Sequence, residues 1–261
     1  MIAKPLSNES SILVTRPNPG GENLCAFLQQ KDVNALHFPT IEIEPLLDFH
    51  QSKNAVAHFF KADWLIFTSP HAVWTVMPMF TKIYVKDNQV ARFAAIGEGT
   101  RSALAAYGIE NIHVPDDWNS ERLLALSTFQ SVSNQKIIII KGQEGRDLLQ
   151  KTFERRGAIV TNLIAYRRTI PDIDPTPFTA LMKKNAIHGI VCASFTSINH
   201  LKQMIGSTHW HNLQMIPLIV ISHRIKTLAE SLNFQTIWVA DNASPNAIFN
   251  LITQKGRFYG R

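Results

Sequence analysis

The sequence contains the same long unit twice. A strand of branched residues, a loop, a helix and a second extended run occupy 11–45 and recur at 135–171, and Ile137 follows Ile12 by 125 positions. The same separation persists without a gap through later matching positions, which include Ser69 with Ser194 and Val114 with Val239. Solenoid repeats are far shorter, about 20 to 50 residues. The repeat therefore predicts two domains that arose by internal duplication.

Both copies alternate strands with helices. Ile137–Ile140 is a run of isoleucines, which is typical of a strand covered on both faces in a parallel sheet. In the first copy, the helical spacing of apolar residues predicts helices over 22–30, 53–61, 72–79 and 101–107. The alternation of the two patterns predicts an α/β fold with parallel sheets.

Two extended runs depart from this alternation. Ala35–Leu46 is predicted as one long strand that leaves a core, because 41–44 alternates isoleucine with glutamate. Its counterpart, 158–168, carries Tyr166 and leads into the proline-marked segment 171–177. Tyr166 is therefore predicted to lie where two units join.

Size and charge limit the classes of function. A chain of 261 residues with 45% hydrophobic residues can build two α/β domains, each with its own core. The net charge of +6 comes from basic residues scattered over both copies, without a long Lys/Arg run or an amphipathic basic helix. We therefore expect no nucleic-acid or membrane partner, while a small acidic ligand remains open.

The N-terminal segment lacks the apolar run of a signal peptide, and the longest apolar stretches are too short to span a bilayer. A cytoplasmic location is the expectation. Cys25 and Cys192 have apolar neighbours in a predicted helix and a predicted strand. These two residues are interpreted as buried, reduced thiols and not as a disulfide.

The loops that follow the predicted strands are rich in Ser, Thr and Gly. In parallel sheets, ligands bind beyond the carboxyl ends of strands, where helix N-termini present free amides. Two such rims facing each other would enclose a cleft suited to carboxylates and poor in groups that titrate near neutrality, unlike the site of a general acid–base enzyme. The loops concerned are 16–21, 69–71, 97–100 and 115–120 in the first copy, and 141–146, 194–197, 222–225 and 241–244 in the second.

Several motifs that could indicate a nucleophile, a nucleotide-binding loop or a metal site have simpler interpretations. Ser69 and Ser194 lie outside any G-x-S-x-G motif, so helix N-capping or ligand binding is favoured over a nucleophile. The glycines near Gly97 and Gly142 lack the partners of a nucleotide-binding loop. His209 and His211 are interpreted as exposed loop histidines and not as metal ligands. Tyr166 itself could be a buried strand aromatic.

As a set, several segments make the chain resemble the uroporphyrinogen-III synthase family over nearly its whole length. They are ILVTRP at Ile12, FPTIEIEPL at Phe38, IFTSPHAV at Ile66, AIGEGT at Ala95, KGQEGRDLL with RGAIV and YRR over 141–168, and VADNASPNAI at Val239. The resemblance implies two flavodoxin-like domains joined by a two-stranded β linker. The implied boundaries are 1–38 with 172–261 for domain 1, 46–164 for domain 2, and 39–45 with 165–171 for the linker.

The resemblance also implies an activity. The linear tetrapyrrole hydroxymethylbilane would lose its terminal hydroxyl as water, its last pyrrole ring would be inverted through a spiro intermediate, and the macrocycle would close as uroporphyrinogen III. No cofactor and no metal are expected, the chain is expected to be a monomer, and transient contact with the preceding pathway enzyme is suggested. Catalysis would depend on how the substrate is held.

Tyr166 occupies the position of the family's cleft tyrosine, which is proposed to hydrogen-bond the departing hydroxyl. The predicted substrate-binding residues are Thr15, Arg16, Ser69, Thr100, Lys141, Gly142, Ser194, Ser197 and Ser222. One departure concerns Ile225, which stands where many members have a threonine like Thr100; Ser222, His223 or backbone amides would have to replace that hydroxyl.

Two other classes stay open at this point. One is a two-domain binding protein that closes on an acidic small molecule, although such proteins are normally exported. The other is a glycosyltransferase with two Rossmann-like domains, for which no acidic ribose contact can be placed in the sequence.

Overall fold

The computed structural model of the protein describes residues 11–46, 61–84 and 91–256. The chain divides into two compact units, of which unit 1 comprises Met1–Glu42 and Thr169–Arg261 and unit 2 comprises Ile43–Arg168. Strands and helices alternate along both, as the sequence predicts. The helix predicted over 53–61 falls almost entirely outside the described residues.

The strands, in chain order, are β1 (Ser11–Val14), β2 (Ala35–His37), β3 (Glu42–Pro45), β4 (Trp64–Phe67), β5 (Arg92–Ala95), β6 (Ile112–His113), β7 (Lys136–Gly142), β8 (Ile159–Thr169), β9 (Ile187–Val191), β10 (Leu218–Val220) and β11 (Ile237–Val239). The described α-helices are α1 (Gly20–Gln29), α2 (Pro70–Tyr84), α3 (Glu98–Ala105), α4 (Ser120–Ala125), α5 (Leu148–Arg155), α6 (Thr176–Lys183), α7 (Phe195–Gln214), α8 (His223–Ser231) and α9 (Pro245–Gly256).

Unit 1 is built on a sheet with the strand order β11-β10-β9-β1-β2, and its strand pairs are parallel. Successive side chains of β1 enter different cores: Leu13 packs with α6, α7 and α8, whereas Ile12 and Val14 pack with α1 and α9. Burial on both faces explains why this strand consists almost wholly of branched apolar residues.

Unit 2 is built on a sheet with the order β3-β8-β7-β4-β5-β6, in which β8-β7-β4-β5-β6 is parallel. The isoleucines of β7 alternate between two cores. Ile138 and Ile140 pack with α2 and α3, whereas Ile137 and Ile139 pack with α4 and α5. Lys141 continues the second face, so it and the Tyr166 ring, which lies in the core of α2 and α3, are on opposite faces of the sheet.

Two sequence interpretations are wrong. Ala35–Leu46 is not one strand, because the chain breaks over 38–41, between β2 of the first sheet and β3 of the second. Phe38 stacks on Phe178 with ring centroids 5.1 Å apart, and the backbone N–H groups of Phe38 and Thr40 donate to the carbonyls of Val14 and Thr15. His209 and His211 lie in α7 and not in a loop.

The second error arises from Gly206. Its φ of 70° interrupts α7, and a glycine at this point of the sequence is typical of a loop. The helix resumes after it, and there Trp210 packs edge-on against Phe234, at 5.5 Å between ring centroids. Among the described helices, none is both long and apolar enough to cross a membrane.

Candidate functional site

Tyr166 is placed by an irregularity in β8. Lys141 pairs with Ile164 but Gly142 pairs with Tyr166, so β8 carries one extra residue at this point, as in a β-bulge. The backbone carbonyl of Tyr166 accepts a hydrogen bond of 2.8 Å from the N–H of Gln143. Because of the bulge, the tyrosine ring packs directly over the backbone of Gly142, and the residue is 2% exposed.

The hydroxyl group of Tyr166 has two hydrogen-bond partners among the described residues. The Oγ of Ser69 lies 3.0 Å from it, and the Nη2 of Arg168 donates to it at 3.1 Å. Ser69 stands just before α2, where its Oγ accepts the N–H of Ala72 at 3.2 Å. The N-capping expected for this serine is therefore present, and the same oxygen also faces the tyrosine.

His71 forms the wall beside the tyrosine. Its ring meets the Tyr166 ring at 5.7 Å between centroids and the Trp74 ring at 5.1 Å, in both cases edge to face. The pKa of His71 is lowered to about 4, mainly by burial and further by the positive charge of Arg168. His71 is therefore neutral near pH 7 and does not add charge to the site.

Lys141 lines a separate pocket on the other face of the same sheet. This pocket has a cavity volume of about 110 Å³ and is bordered by β7, α5 and the loop between them, with Thr68, Ile96, Asp147 and Asn162 among its lining residues. The lysine side chain is only 11% exposed, and its Nζ contacts Asp147 Oδ1 at 3.3 Å. Two of the three N–H donors of the ammonium group thus have no hydrogen bond within the described residues.

The pocket also contains an unsatisfied acceptor. The Nδ2 of Asn162 donates to Gln150 Oε1 at 2.6 Å, while its buried Oδ1 has no hydrogen-bond partner in the described part of the chain. A buried polar atom without a partner is costly unless a ligand or water satisfies it. The pocket therefore offers donors from Lys141 and an acceptor from Asn162.

In unit 1, the corresponding strand end holds a buried cluster of hydroxyl groups. Thr15 Oγ1 lies 3.0 Å from Ser197 Oγ, and Ser197 Oγ lies 2.7 Å from Thr40 Oγ1. Thr15 also donates to the carbonyl of Val191 at 2.8 Å. All three hydroxyl-bearing residues are buried, so Thr15 and Ser197 would have to exchange these bonds in order to contact a substrate.

Arg16 follows Thr15 and differs from it. The Nε and Nη2 atoms of its guanidinium are buried and have no hydrogen-bond partner among the described residues. Desolvation lowers the pKa of this side chain from its usual value, although an arginine with a lowered pKa still carries its charge. An oriented and unpaired guanidinium is suited to bind a carboxylate.

The other predicted binding serines cap helices. Ser194 Oγ accepts the N–H of Ser197 at 3.1 Å at the start of α7, and Ser222 Oγ accepts the N–H of Ile225 at 3.4 Å at the start of α8. Thr100, in the first turn of α3, is buried, and so is Ile225 at the matching place in α8. The position serves packing in both units, which explains how an isoleucine is tolerated there.

Sequence reasoning missed Arg168, His71 and Asn162 as site residues. Arg168 was visible in the YRR segment and His71 in the loop after Ser69, but only the fold brings both to the tyrosine. Asn162 gave no signal in the sequence. Cys25 and Cys192 are free and buried, as predicted, and the described residues contain no cluster of three or more His, Cys, Asp or Glu that could hold a metal.

Comparison with known proteins identifies the family. The family model described as "Uroporphyrinogen-III synthase HemD" matches residues 22–250. The chain belongs to the uroporphyrinogen-III synthase family.

Relatives within the uroporphyrinogen-III synthase family agree with this result over most of the chain. The chain is 32% identical to uroporphyrinogen-III synthase of Escherichia coli, with 93% of this chain and 99% of the relative covered. It is 31% identical to the enzyme of Proteus mirabilis, with 76% and 98% covered. The resemblance expected from the sequence motifs is confirmed.

Solved structures of the family share the fold. A mutant uroporphyrinogen III synthase from Thermus thermophilus superimposes with a TM-score of 0.63 at 15% identity, covering 95% of this chain and 98% of that one. The uroporphyrinogen-III synthetase of Helicobacter pylori gives 0.58 at 13% identity, covering 94% and 99%. At these identities the comparison concerns the fold, which is α/β with parallel sheets.

Proposed function

We propose that this protein is a uroporphyrinogen-III synthase, a lyase that converts hydroxymethylbilane into uroporphyrinogen III and water. The observation that carries the proposal is the family match over 22–250, together with relatives that align over almost their whole length. It favours this activity over an acidic-solute binding protein and over a glycosyltransferase, the two alternatives left open by the sequence.

The reaction needs little acid or base from the protein. The C–O bond of the terminal hydroxymethyl group breaks with its electron pair on oxygen, and the oxygen takes up a proton and leaves as water. The substituted carbon of the last ring attacks the methylene carbon to form the spiro intermediate. The bond from that ring carbon to its original bridging methylene then breaks and re-forms at the unsubstituted carbon of the same ring, which inverts the ring. A ring carbon finally loses a proton, which balances the one taken up. The enzyme's contribution is to hold the chain so that the substituted carbon of the last ring, and not its unsubstituted carbon, forms the first bond to the methylene carbon.

Tyr166 is proposed to hydrogen-bond the departing hydroxyl. Its hydroxyl group sits at the carboxyl edge of the unit 2 sheet with Ser69 and Arg168 as neighbours. A hydrogen bond that strengthens as negative charge grows on the leaving oxygen lowers the barrier selectively.

The carboxylates of the substrate are proposed to bind to cations and helix N-termini at the strand ends. Arg16 and Lys141 offer N–H donors that are not used within the described residues, and Ser69, Ser194 and Ser222 mark the starts of three helices. Gly142 is proposed to act by giving room to Tyr166. Thr15, Ser197 and Thr100 are also proposed to bind the substrate; they are about as buried as Tyr166, so each of the four reaches it only by exchanging its present contacts.

The architecture is proposed to be a pair of flavodoxin-like domains derived by duplication. Both parallel sheets have the strand order 2-1-3-4-5 when each is numbered from the unit that opens its copy, β1 or β7, and this order supports the proposal. Further support comes from helix starts that are 125 positions apart, at Pro70 and Phe195, Glu98 and His223, and Ser120 and Pro245. Domain boundaries at 1–38 with 172–261 and at 46–164, with 39–45 and 165–171 as linker strands, remain our proposal.

The remaining expectations are proposals of the same kind. We expect a cytoplasmic monomer that works without a cofactor and meets the preceding pathway enzyme transiently. Light scattering of the purified protein, alone and mixed with that enzyme, measures the oligomeric state and the contact.

The activity is tested with purified, chelator-treated protein and freshly prepared hydroxymethylbilane. Oxidation of the products and separation of the type I and type III isomers by chromatography should show mainly type III without added metal or nucleotide. Formation of type I alone, at the rate of the protein-free control, would reject the proposal.

A further inference from the structure

The hydrogen bonds around Tyr166 have directions that can be deduced from chemistry alone. A guanidinium group has N–H donors and no acceptor, so in the 3.1 Å contact between Arg168 Nη2 and the tyrosine hydroxyl the arginine donates. The phenolic oxygen must therefore accept there. Its own proton points elsewhere.

The direction of the hydrogen bond between Ser69 and Ala72 is fixed in the same way. The backbone N–H of Ala72 donates to Ser69 Oγ at 3.2 Å, so the serine oxygen accepts in that contact. Between the two hydroxyls, 3.0 Å apart, either can be the donor. The pair is thus bounded by a donor at each end.

Counting protons gives the consequence. The two hydroxyls carry one proton each, one of these is used in the bond between them, and neither outer contact accepts a proton. No further hydrogen-bond partner of either hydroxyl occurs within 11–46, 61–84 and 91–256. One hydroxyl proton of the pair therefore always remains without an acceptor among the described residues. It is the proton of Tyr166 if Ser69 donates to Tyr166, and the proton of Ser69 if Tyr166 donates to Ser69.

We infer that Arg168 is a positioning residue that, with the capped start of α2, makes the Tyr166–Ser69 pair a net hydrogen-bond donor toward the substrate. The inference rests on the proposed function, in which the acceptor is the oxygen of the departing hydroxyl. Arg168 also packs against one face of the tyrosine ring, with its Cζ 5.5 Å from the ring centroid. Its role is to fix the direction of the hydrogen bonds and not to contact the reacting carbon.

Reversing the direction at position 168 tests the inference. Glutamine and glutamate have nearly the same shape. The amide of Arg168→Gln can still donate to the tyrosine, whereas the carboxylate of Arg168→Glu can only accept, so the tyrosine hydroxyl would donate its proton to residue 168. We expect kcat of Arg168→Gln to stay within about threefold of wild type, and kcat of Arg168→Glu to fall by about tenfold or more, to the level of Tyr166→Phe.

Charge reversal near a polyanionic substrate needs its own control. Arg167→Glu makes the same charge change one residue earlier on β8, where the Arg167 guanidinium binds Glu44 with two contacts of 2.7 Å and makes no hydrogen bond to the Tyr166 hydroxyl. Both glutamate variants should raise KM. Only Arg168→Glu should lower kcat.

A double-mutant comparison separates positioning from general damage. In a Tyr166→Phe background there is no tyrosine proton to redirect, so Arg168→Glu should not lower kcat further. Ser69→Asp supplies an independent variant, because aspartate still caps α2 but cannot donate to the tyrosine. It should also lower kcat by about tenfold, whereas Ser69→Thr should keep most of the activity.

The outcomes are distinguishable. Multiplicative losses of kcat in Tyr166→Phe/Arg168→Glu, or equal losses in Arg168→Gln and Arg168→Glu with unchanged circular dichroism, would overturn the inference. If Arg168→Glu does not fold, full activity of Ser69→Asp overturns it in the same way. Production of type I isomer only by the wild-type protein would instead reject the proposed function.

Discussion

A Cβ atom placed on Gly142 would lie 2.8 Å from Cζ of Tyr166 and 3.1 Å from its hydroxyl oxygen. The tyrosine ring therefore occupies the space in which any other residue at 142 would carry its side chain. This close contact, and no special backbone conformation, is the reason for a glycine at the end of β7.

Gly142→Ala should consequently displace the ring of Tyr166. We expect a loss of about 1 to 3 kcal/mol in unfolding free energy, typical of overpacking, and a fall in kcat, because the hydroxyl leaves its place beside Ser69. Denaturant unfolding and steady-state kinetics measure the two effects. Gly99→Ala is the matched control, since a Cβ there would meet only Pro70 at an ordinary 3.6 Å. Equal behaviour of the two variants would disprove the steric argument.

Tyr166→Phe removes the hydroxyl and leaves the ring. We expect kcat to fall by about tenfold or more, with little change in stability, because one hydrogen bond to the leaving oxygen is lost. Isomer analysis should still give type III in the product that forms, since the shape of the site is kept. Unchanged turnover would reduce Tyr166 to a packing residue.

His71 makes the stability of the protein depend on acid. Its pKa is lowered to about 4 in the folded state, below the usual value near 6.5, so the unfolded state binds a proton more readily between these two values. Stability is therefore lost as pH falls from about 6.5 toward 4. Between pH 7 and pH 5 the loss from this one group is about 2 kcal/mol.

Urea unfolding at the two pH values, followed for wild type and His71→Gln, measures this contribution. The wild-type protein should lose about 2 kcal/mol more than the variant, because glutamine does not titrate. Unfolding is followed by circular dichroism. The same pH dependence in both proteins would contradict the assignment.

Lys141 should affect substrate binding and not the chemical step, because it lies in the pocket on the face of the sheet opposite Tyr166. Lys141→Met should raise KM for hydroxymethylbilane by about tenfold and change kcat by less than about twofold. Lys136→Met, at the exposed opposite end of β7, should change neither. A lower kcat with an unchanged KM would argue against the proposed role.

The two cysteines should be inert in the native protein. Burial raises the pKa of Cys192 to about 12 and that of Cys25 to about 11, so almost no thiolate exists at pH 8. A thiol-specific disulfide reagent should label both residues after unfolding in guanidinium and neither before it. Rapid labelling of the folded protein would show that one of the thiols is accessible.

Much of the fold could be predicted from local patterns. The apolar runs before 69, 97 and 141 became strands because sheets covered on both faces need continuous apolar segments. Ser69 and Ser194, each of which follows a strand, became helix caps. The predicted ends differ by only a few residues. The strand at Ile137–Ile140, for example, continues to Gly142 and includes Lys141.

What could not be predicted depends on contacts between distant residues. The bulge that turns Tyr166 over Gly142 is a mismatch between two strands and has no signature within either one. The unpaired Oδ1 of Asn162 and the unpaired nitrogens of Arg16 are properties of burial, which periodicity indicates only for apolar residues. For the same reason, the sequence predicts Thr15 and Ser197 as substrate-binding residues but gives no sign that their hydroxyl groups are hydrogen-bonded to each other in the interior.

The pleat of β7 has a consequence for tolerated change. Lys141 and Gly142 are adjacent in the chain but serve opposite sides of the sheet, one the pocket beside α5 and the other the tyrosine beside α2. Deleting one residue from the middle of the strand would place each of them on the other side of the sheet. The lysine side chain would then collide with the tyrosine, and the pocket would lose its cation. Insertions after Gly142 spare this arrangement, and length variation among functional homologues should therefore collect in the loop that precedes α5 and be absent from the strand itself.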